Sequence, residues 1–167
     1  MIVISDTSPI NYLVLTGHIE VVPALFGQVV IPSAVVSELQ HVSTPQEVAQ
    51  WISQPPAWLL VRTPAHVDAD IQLGSGEAEA ISLAIEMHAA LVLMDDRRGR
   101  REAIARGLSV AGTLNVLEAA AQRDLLDLPT MIAKLRQTNF HVAEPILQRA
   151  LQADAERKAK RPRSTPS

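Results

Sequence analysis

Five short apolar runs, rich in β-branched side chains, recur along the chain at residues 2–5, 28–31, 59–62, 91–94 and 108–111, and longer stretches with helical periodicity separate them. That alternation predicts βαβ units and hence an α/β fold around a parallel sheet, because parallel neighbours need a crossover long enough to hold a helix. The run Ala90-Leu91-Val92-Leu93-Met94 is apolar without alternation. A strand of that kind is covered on both faces and belongs near the centre of its sheet.

Capping chemistry places helix starts between the runs. Ser33 precedes AVVSELQ, Thr44-Pro45 precedes QEVAQWI, and Ser75 or Gly76 precedes EAEAISLAIEMH, each a residue pattern that supplies an acceptor or a pre-set φ to a first turn. Beyond Gly112, helices are expected over 113–123, 129–135 and 144 to about 158. The economical organisation is one domain at 1–140, a C-terminal helix at 141–158 and a mobile basic tail at 159–167. The stretch 157–167 carries five of the fifteen Lys and Arg side chains and no large apolar group, too little to offset the entropy of its own ordering.

With 167 residues, 47% of them hydrophobic, the chain is long enough to bury one core. A net charge of -3 supplies no bulk attraction to nucleic acid, so any such attraction has to be local. The lack of cysteine excludes disulfide scaffolds, zinc ribbons, Cys nucleophiles and iron–sulfur clusters. The N-terminal stretch reaches Asp6 before an apolar signal region could form, and no apolar run approaches the roughly 18 residues of a membrane span. The expectation is a soluble, cytoplasmic protein with no membrane contact.

Asp6 directly follows the first strand run, and Asp95 with Asp96 follows the most apolar one. In an open parallel sheet such positions line the ligand crevice, so Asp6 and Asp95 are candidates to face each other, although each could equally cap the helix that follows. Glu77 and Glu79 are separated by helical geometry, since residues two apart point about 200° apart around the axis. Glu79 aligns with Ser82 and Glu86 as a solvent stripe, whereas Glu77 shares its face with Ile81, Ala84 and Ile85. An acid there needs a partner, either its own helix's N-terminal amides or a shared metal. Glu38 lies on the side of Ala34 and Val35 and is either inward-facing or solvated.

Four carboxylates from four segments would repel one another unless a cation neutralised them. All-oxygen ligation suits a hard ion, Mg2+ or Mn2+, able to hold a phosphate and activate a water for phosphodiester cleavage. The following Asp96-Arg97-Arg98-Gly99-Arg100-Arg101 could hold a polyanionic backbone near such acids, or form a solvated helix face paired with acids such as Glu102. Thr7 and Ser8 offer hydroxyls to a phosphate, and Thr7-Ser8-Pro9 is also a good helix start. The five His residues have no metal-ligand spacing, no Walker or dinucleotide fingerprint is present, and aromatics at 3% leave little for base stacking.

The strings Ile2-Val3-Ile4-Ser5-Asp6-Thr7-Ser8-Pro9, Pro32-Ser33-Ala34-Val35-Val36-Ser37-Glu38-Leu39, Gly76-Glu77-Ala78-Glu79-Ala80-Ile81 and Leu93-Met94-Asp95-Asp96-Arg97-Arg98 together resemble PIN-domain proteins. More narrowly they are similar to the PIN-like branch with DTSP, GEAEAI, DDR and GT signatures related to VapC-type toxins. The resemblance spans about residues 1–140 and rests on the order and spacing of the motifs. It implies a three-layer α/β/α fold with a central parallel sheet of four to five strands, here with a helical C-terminal extension, and Mg2+- or Mn2+-dependent ribonuclease activity. By that resemblance Asp6 matches the acid after strand one and Glu38 the acid on the following helix, while Glu77 and Asp95 match the acids that open the helix before strand four and close that strand. Two departures stand out: the third acid is Glu where the family usually has Asp, and adjacent Asp96 and arginines replace the usual spaced acid after Asp95.

The implied function is an endoribonuclease acting on RNA, with Asp6 and Asp95 as principal metal ligands and Glu38 and Glu77 completing the shell directly or through water. Thr7, Ser8, Asp96, Arg97 and Arg98 are candidate substrate contacts. VapC-like toxins are usually dimers held inactive by a small DNA-binding antitoxin, which implies a homodimer and a small antitoxin-like partner. Two alternatives remain open. One is an aspartyl-phosphate phosphatase with Asp6 as nucleophile, which wants an acid two residues on, where Ser8 stands. The other is a non-catalytic PIN-like module that acts through a protein partner.

Overall fold

Every apolar run marked as a strand forms one in the computed structural model, which describes residues 1–162. The first part of the chain runs β1 (Val3–Ser5), α1 (Thr7–Leu15), α2 (Val21–Phe26), β2 (Val29–Pro32), α3 (Ser33–Leu39), α4 (Gln46–Ser53), β3 (Leu59–Arg62) and α5 (Ser75–Glu86). It continues through β4 (Leu91–Leu93), α6 (Arg97–Ala105), β5 (Val110–Ala111), α7 (Thr113–Gln122), α8 (Leu128–Arg136) and α9 (Glu144–Ala159). All four strand pairings are parallel, in the order β3-β2-β1-β4-β5. The fold is thus α/β, a five-stranded parallel sheet flanked by helices.

The register puts Leu60, Val30, Ile4, Val92 and Val110 in one row across the sheet. That row packs against Ala78, Ile81 and Ala84 of α5 and Ala103 of α6. Alternation sends Val3, Val29, Ile31 and Leu93 to the opposite face, where all four are also fully buried. Each such side chain contributes roughly 2 kcal/mol by its removal from water. The strand at 91–94 is interior as its unbroken apolar run implies, with β1 in the middle position.

The order of strands positions the site. The chain winds from β1 outward to β3, then returns across β1 to build β4 and β5, so the direction of winding reverses between β1 and β4. At such a switch point the connections leave in opposite directions and open a crevice beyond the carboxyl ends of the two strands.

Departures from the sequence expectation are local. Helix α5 stops at Glu86 instead of reaching 88 because His88 adopts the left-handed conformation, φ 52°, that terminates helices. Helix α2, six residues long, is too short to show periodicity.

The chain divides into two compact units, Met1–Val116 and Leu117–Ser167. The first holds the sheet. In the second, α8 and α9 bury Leu128, Met131, Ile132, Leu135, Leu147 and Ala150. The basic tail expected over 159–167 lies largely outside the described residues. No helix among the described residues is long and apolar enough to cross a membrane.

Candidate active site

Asp6 and Asp95 sit at the switch point because Asp6 is the residue just past β1 and Asp95 the second residue past β4. The Asp6 amide donates to Leu93 O at 2.9 Å, continuing the ladder between β1 and β4 by one residue. Asp6 occupies the N-cap position of α1 with extended backbone, yet its side chain makes no capping hydrogen bond. It is 3% exposed, and its Oδ1 is buried without any hydrogen-bond partner. An orphaned anionic oxygen in that setting is costly and marks a place where something outside the chain belongs.

Glu38 and Glu79 reach the region through an exchange between two helices. Neither α3 nor α5 has a side chain of its own capping its N-terminus. Glu79 of α5 accepts from Ala34 N at 2.9 Å and Ser33 Oγ at 3.3 Å, while Glu38 of α3 accepts from Gly76 N at 3.0 Å. Each helix thus supplies the anion that the other's N-terminal amides favour. The expected solvent stripe of Glu79, Ser82 and Glu86 is therefore corrected. Ser82 is buried and accepts from Asp68 N, and Glu86 accepts from Ala65 N, so the whole stripe ties neighbouring segments to α5.

Thr7 Oγ1 donates to Glu38 Oε2, which commits that hydroxyl's proton to the acid instead of leaving it for a phosphate. Asp95 accepts from Thr113 N at 2.7 Å and Thr113 Oγ1 at 2.6 Å, anchoring the first turn of α7. Two glycines make these placements possible. A Cβ on Gly76 would come within 2.5 Å of Glu38 Oε2, and one on Gly112 would lie 2.9 Å from Asp95 Oδ1 and 2.7 Å from Arg100 Nη1. Glu77 is half-buried in the first turn of α5, close to the backbone of Gly99.

The four acids share one electrostatic environment. Burial pushes Asp6 up to about 7 against the pull of the Thr7 amide, and the charges of Glu77, Glu38 and Asp95 push it further. Burial, then Asp96 and Glu38, raise Glu77, with Arg98 opposing. Burial also raises Asp95, against its two hydrogen bonds from Thr113 and the nearby Arg100. Four carboxylates from four segments are therefore within interaction range, as the sequence pattern implies.

The remaining expected contacts separate. Asp96 caps α6, accepting from Gly99 N at 2.9 Å. Arg97 and Arg98 are exposed on the first turn of α6, and Arg98 lies close enough to counter Glu77. Ser8 is half-buried beside Thr7 on α1. Thr113 and Arg100 join the site without a residue-level signal of their own. Thr113 belongs to the Gly-Thr pair of the signature, and Arg100, whose Nη1 donates to Met94 O at 3.1 Å, is hidden among five arginines over positions 97–106.

Among the described residues, no three His, Cys, Asp or Glu side chains form a ready-made metal cage. The donors nonetheless fit a hard divalent ion that keeps several of its waters: all are carboxylate oxygens, Asp6 Oδ1 lacks a partner, and burial raises the pKa values of Asp6, Glu77 and Asp95. Asp6 and Asp95 are the pair at the crevice, with Glu38 and Glu77 flanking them.

A family model described as a PIN domain matches residues 2–156. No curated protein matches the chain. Among solved structures the fold is similar to a PilT N-terminus domain protein from the hyperthermophilic archaeon Sulfolobus solfataricus P2, with a TM-score of 0.50 and 18% identity over 85% of this chain and 100% of that one. With that match running nearly end to end, and with the acids of its motifs gathered where the sheet's winding reverses, the chain belongs to the PIN-domain family, whose members are usually nucleases.

Proposed function

We propose that this protein is a metal-dependent endoribonuclease that hydrolyses RNA phosphodiesters with Mg2+ or Mn2+ held by Asp6, Glu38, Glu77 and Asp95. The carrying observation is the buried, partnerless Asp6 Oδ1 among three other acids at the sheet's switch point. A bound divalent ion would supply charge neutralisation and a water acidic enough to attack phosphorus. Asp6 and Asp95 would hold it from beyond the ends of β1 and β4, and Glu38 and Glu77, which flank them, would accept the proton that a nucleophilic water gives up. The Thr113 hydrogen bonds orient Asp95 and, with Arg100, oppose the rise that burial gives it, while Arg97 and Arg98 attract the RNA backbone that the acids alone would repel.

The experiment is cleavage of mixed RNA by the purified protein with Mg2+, with Mn2+ and with EDTA, beside Asp6→Asn and Asp95→Asn variants. Metal-dependent cleavage lost in both variants supports the assignment, and cleavage surviving in Asp6→Asn sinks it. A second reading, a PIN-like binding module without turnover, draws on Glu38 and Asp95 already accepting from protein donors. That reading requires a folded protein that cleaves nothing with either ion.

The string of signatures around Asp6, Gly76 and Asp95 supports a finer reading: the cytoplasmic toxin of a VapC-like pair, a homodimer restrained by a small antitoxin-like protein. Expression in cells tests it, since growth arrest abolished by Asp6→Asn is required of a toxin.

A further inference from the structure

Among the described residues, Arg97, Arg98 and Arg101 of α6 make no ion pair, whereas Arg106, Arg136, Arg157, Lys158 and Arg161 each grip an acid of the chain. Arg97 and Arg98 are also the first two residues of α6. That end of a helix carries the positive pole of its dipole and disfavours cations. Asp96, accepting from Gly99 N at 2.9 Å, offsets only part of that cost. Three exposed arginines kept where the fold gains nothing from them point to an anion outside the chain.

Their arrangement indicates which anion. Arg97 and Arg101, four residues apart, share one side of α6 and are separated by about 6 Å along its axis, close to the step between neighbouring phosphates of a strand. Ile104 shares that side and is 59% exposed, so it lies open to solvent. Arg98 lies close enough to Glu77 to oppose the rise in its pKa, and its Nη2 donates to Gln72 O at 3.4 Å. The row therefore begins at the acids and leads away along the helix. Guanidinium groups pair bidentately with phosphates. Helix α6 has no aromatic side chain on which a base could stack, so its contacts are to the sugar-phosphate backbone and carry no sequence information. An acidic protein segment would answer the charge, but a row of cations at phosphate spacing beside acids suited to phosphodiester cleavage favours a nucleic-acid strand.

We propose that α6 carries the RNA strand as it leaves the crevice, with Arg98 nearest the acids and Arg97 and Arg101 holding phosphates that flank the scissile one, whatever their bases. The proposal rests on the endoribonuclease reading above. It adds Arg101 and a binding surface separate from the acids that do the chemistry.

The test compares the full chain with the double variant Arg97→Gln/Arg101→Gln and with Arg149→Gln, which removes an exposed cation of α9 outside the row. Cleavage of mixed RNA with Mg2+ gives KM and kcat. Binding of a fluorophore-labelled RNA pool is measured over a range of salt concentrations in the Asp6→Asn background. The double variant is expected to raise KM by about tenfold at low salt, and to lower kcat far less. Its plot of log affinity against log salt is expected to lose about 1.4 of slope, the share of two phosphate contacts on a single strand. Its melting temperature is expected to hold level or rise, because a cation has left the positive end of a helix. Arg149→Gln is expected to leave KM and slope nearly as they are. An unchanged KM and slope in the double variant, or an equal change in Arg149→Gln, overturns the row and leaves the nuclease standing. A melting temperature that falls by several degrees makes the arginines structural and also overturns the row. Absent cleavage but RNA binding that only the double variant weakens overturns the nuclease and keeps the row. Neither cleavage nor RNA binding overturns both, the result that a surface for an acidic protein segment gives.

Discussion

Asp127 and Glu144, at the starts of α8 and α9, each have a cation in hand: Lys158 Nζ lies 3.0 Å from Asp127, and Arg136 grips Glu144 through two hydrogen bonds of 2.7 and 2.8 Å. Asp6, past the end of β1, instead stands among Glu77, Glu38 and Asp95. The same residue types consequently titrate in opposite directions. Hydrogen bonds from Thr130 and Lys158 hold Asp127 down to about 2, and Arg136 with Gln148 holds Glu144 down to about 2, while burial lifts Asp6 to about 7. Acids that stabilise a fold are matched within the chain, and acids left unmatched in its interior cost stability that only an external cation returns.

The sharpest way to break the comparison is Asp6→Asn. On the proposed function it lowers Mg2+-dependent RNA cleavage by about a thousandfold, equivalent to about 4 kcal/mol of barrier. It also raises the metal-free melting temperature at pH 8, because a buried charge is replaced by a neutral amide of the same shape. Loss of activity together with loss of stability would make Asp6 structural.

The pH dependence is nearly as large. Native Asp6 keeps its proton until about pH 7, whereas the unfolded chain releases it near 3.8, so the folded state binds more protons in that window and stability falls as pH rises through it. The shift is worth at most about 4 kcal/mol in metal-free protein. Asp127 and Glu144 act the other way, contributing stability above about pH 4 that is lost as pH falls toward 2. Denaturant titrations should place the metal-free optimum near pH 4 to 5, and Mg2+ should restore the loss at pH 8. A flat profile from 4 to 8 would contradict the buried charge.

Asp154→Ala tests the matched side. Its side chain is 4% exposed and pairs with Arg157 at 2.7 Å and Lys158 at 2.9 Å. Removing it leaves two partly exposed cations that water can solvate, so the cost is about 2 kcal/mol, below that of breaking a fully buried pair, with cleavage per folded molecule unchanged. Gly76→Ala should do the reverse, displacing Glu38 and reducing cleavage by roughly 10- to 100-fold, as lost ligand positioning does, for about 1 kcal/mol of stability. The smallest effect belongs to Arg136→Ala. Its pair with Glu144 is 43% and 55% exposed, so denaturant unfolding should shift least of all these variants, and less still at high salt.

One side of this contrast, the acids near the sheet, was readable in the sequence, while the matched acids of α8 and α9 were not. The strand at 59–62 has the bounds its short apolar run implies, and the acids at 6 and 95 fall near strand ends because apolar runs end where charge begins. Helical geometry set Glu77 apart from Glu79 but misjudged what Glu79 does. A wheel drawn on one helix treats its outer face as solvent, and here α3 lies against that face and takes Glu79 as its cap. Arg100 escaped for a related reason: among so many arginines, only the bend that brings Gly112 under it singles it out.

By itself the amino-acid sequence determined the alternation of strands and helices, the parallel sheet that follows from it, and the position of Asp6 and Asp95 near strand ends, with Glu38 and Glu77 as helix-borne candidates to join them. These depend on local pattern and chain connectivity. Tertiary structure decided the strand order that creates the switch point, the exchange of caps between α3 and α5, the glycines that admit Glu38 and Asp95, and the isolation of Asp6 Oδ1. Those depend on which segments meet, and the cost of a buried charge arises only once neighbours have excluded water from it.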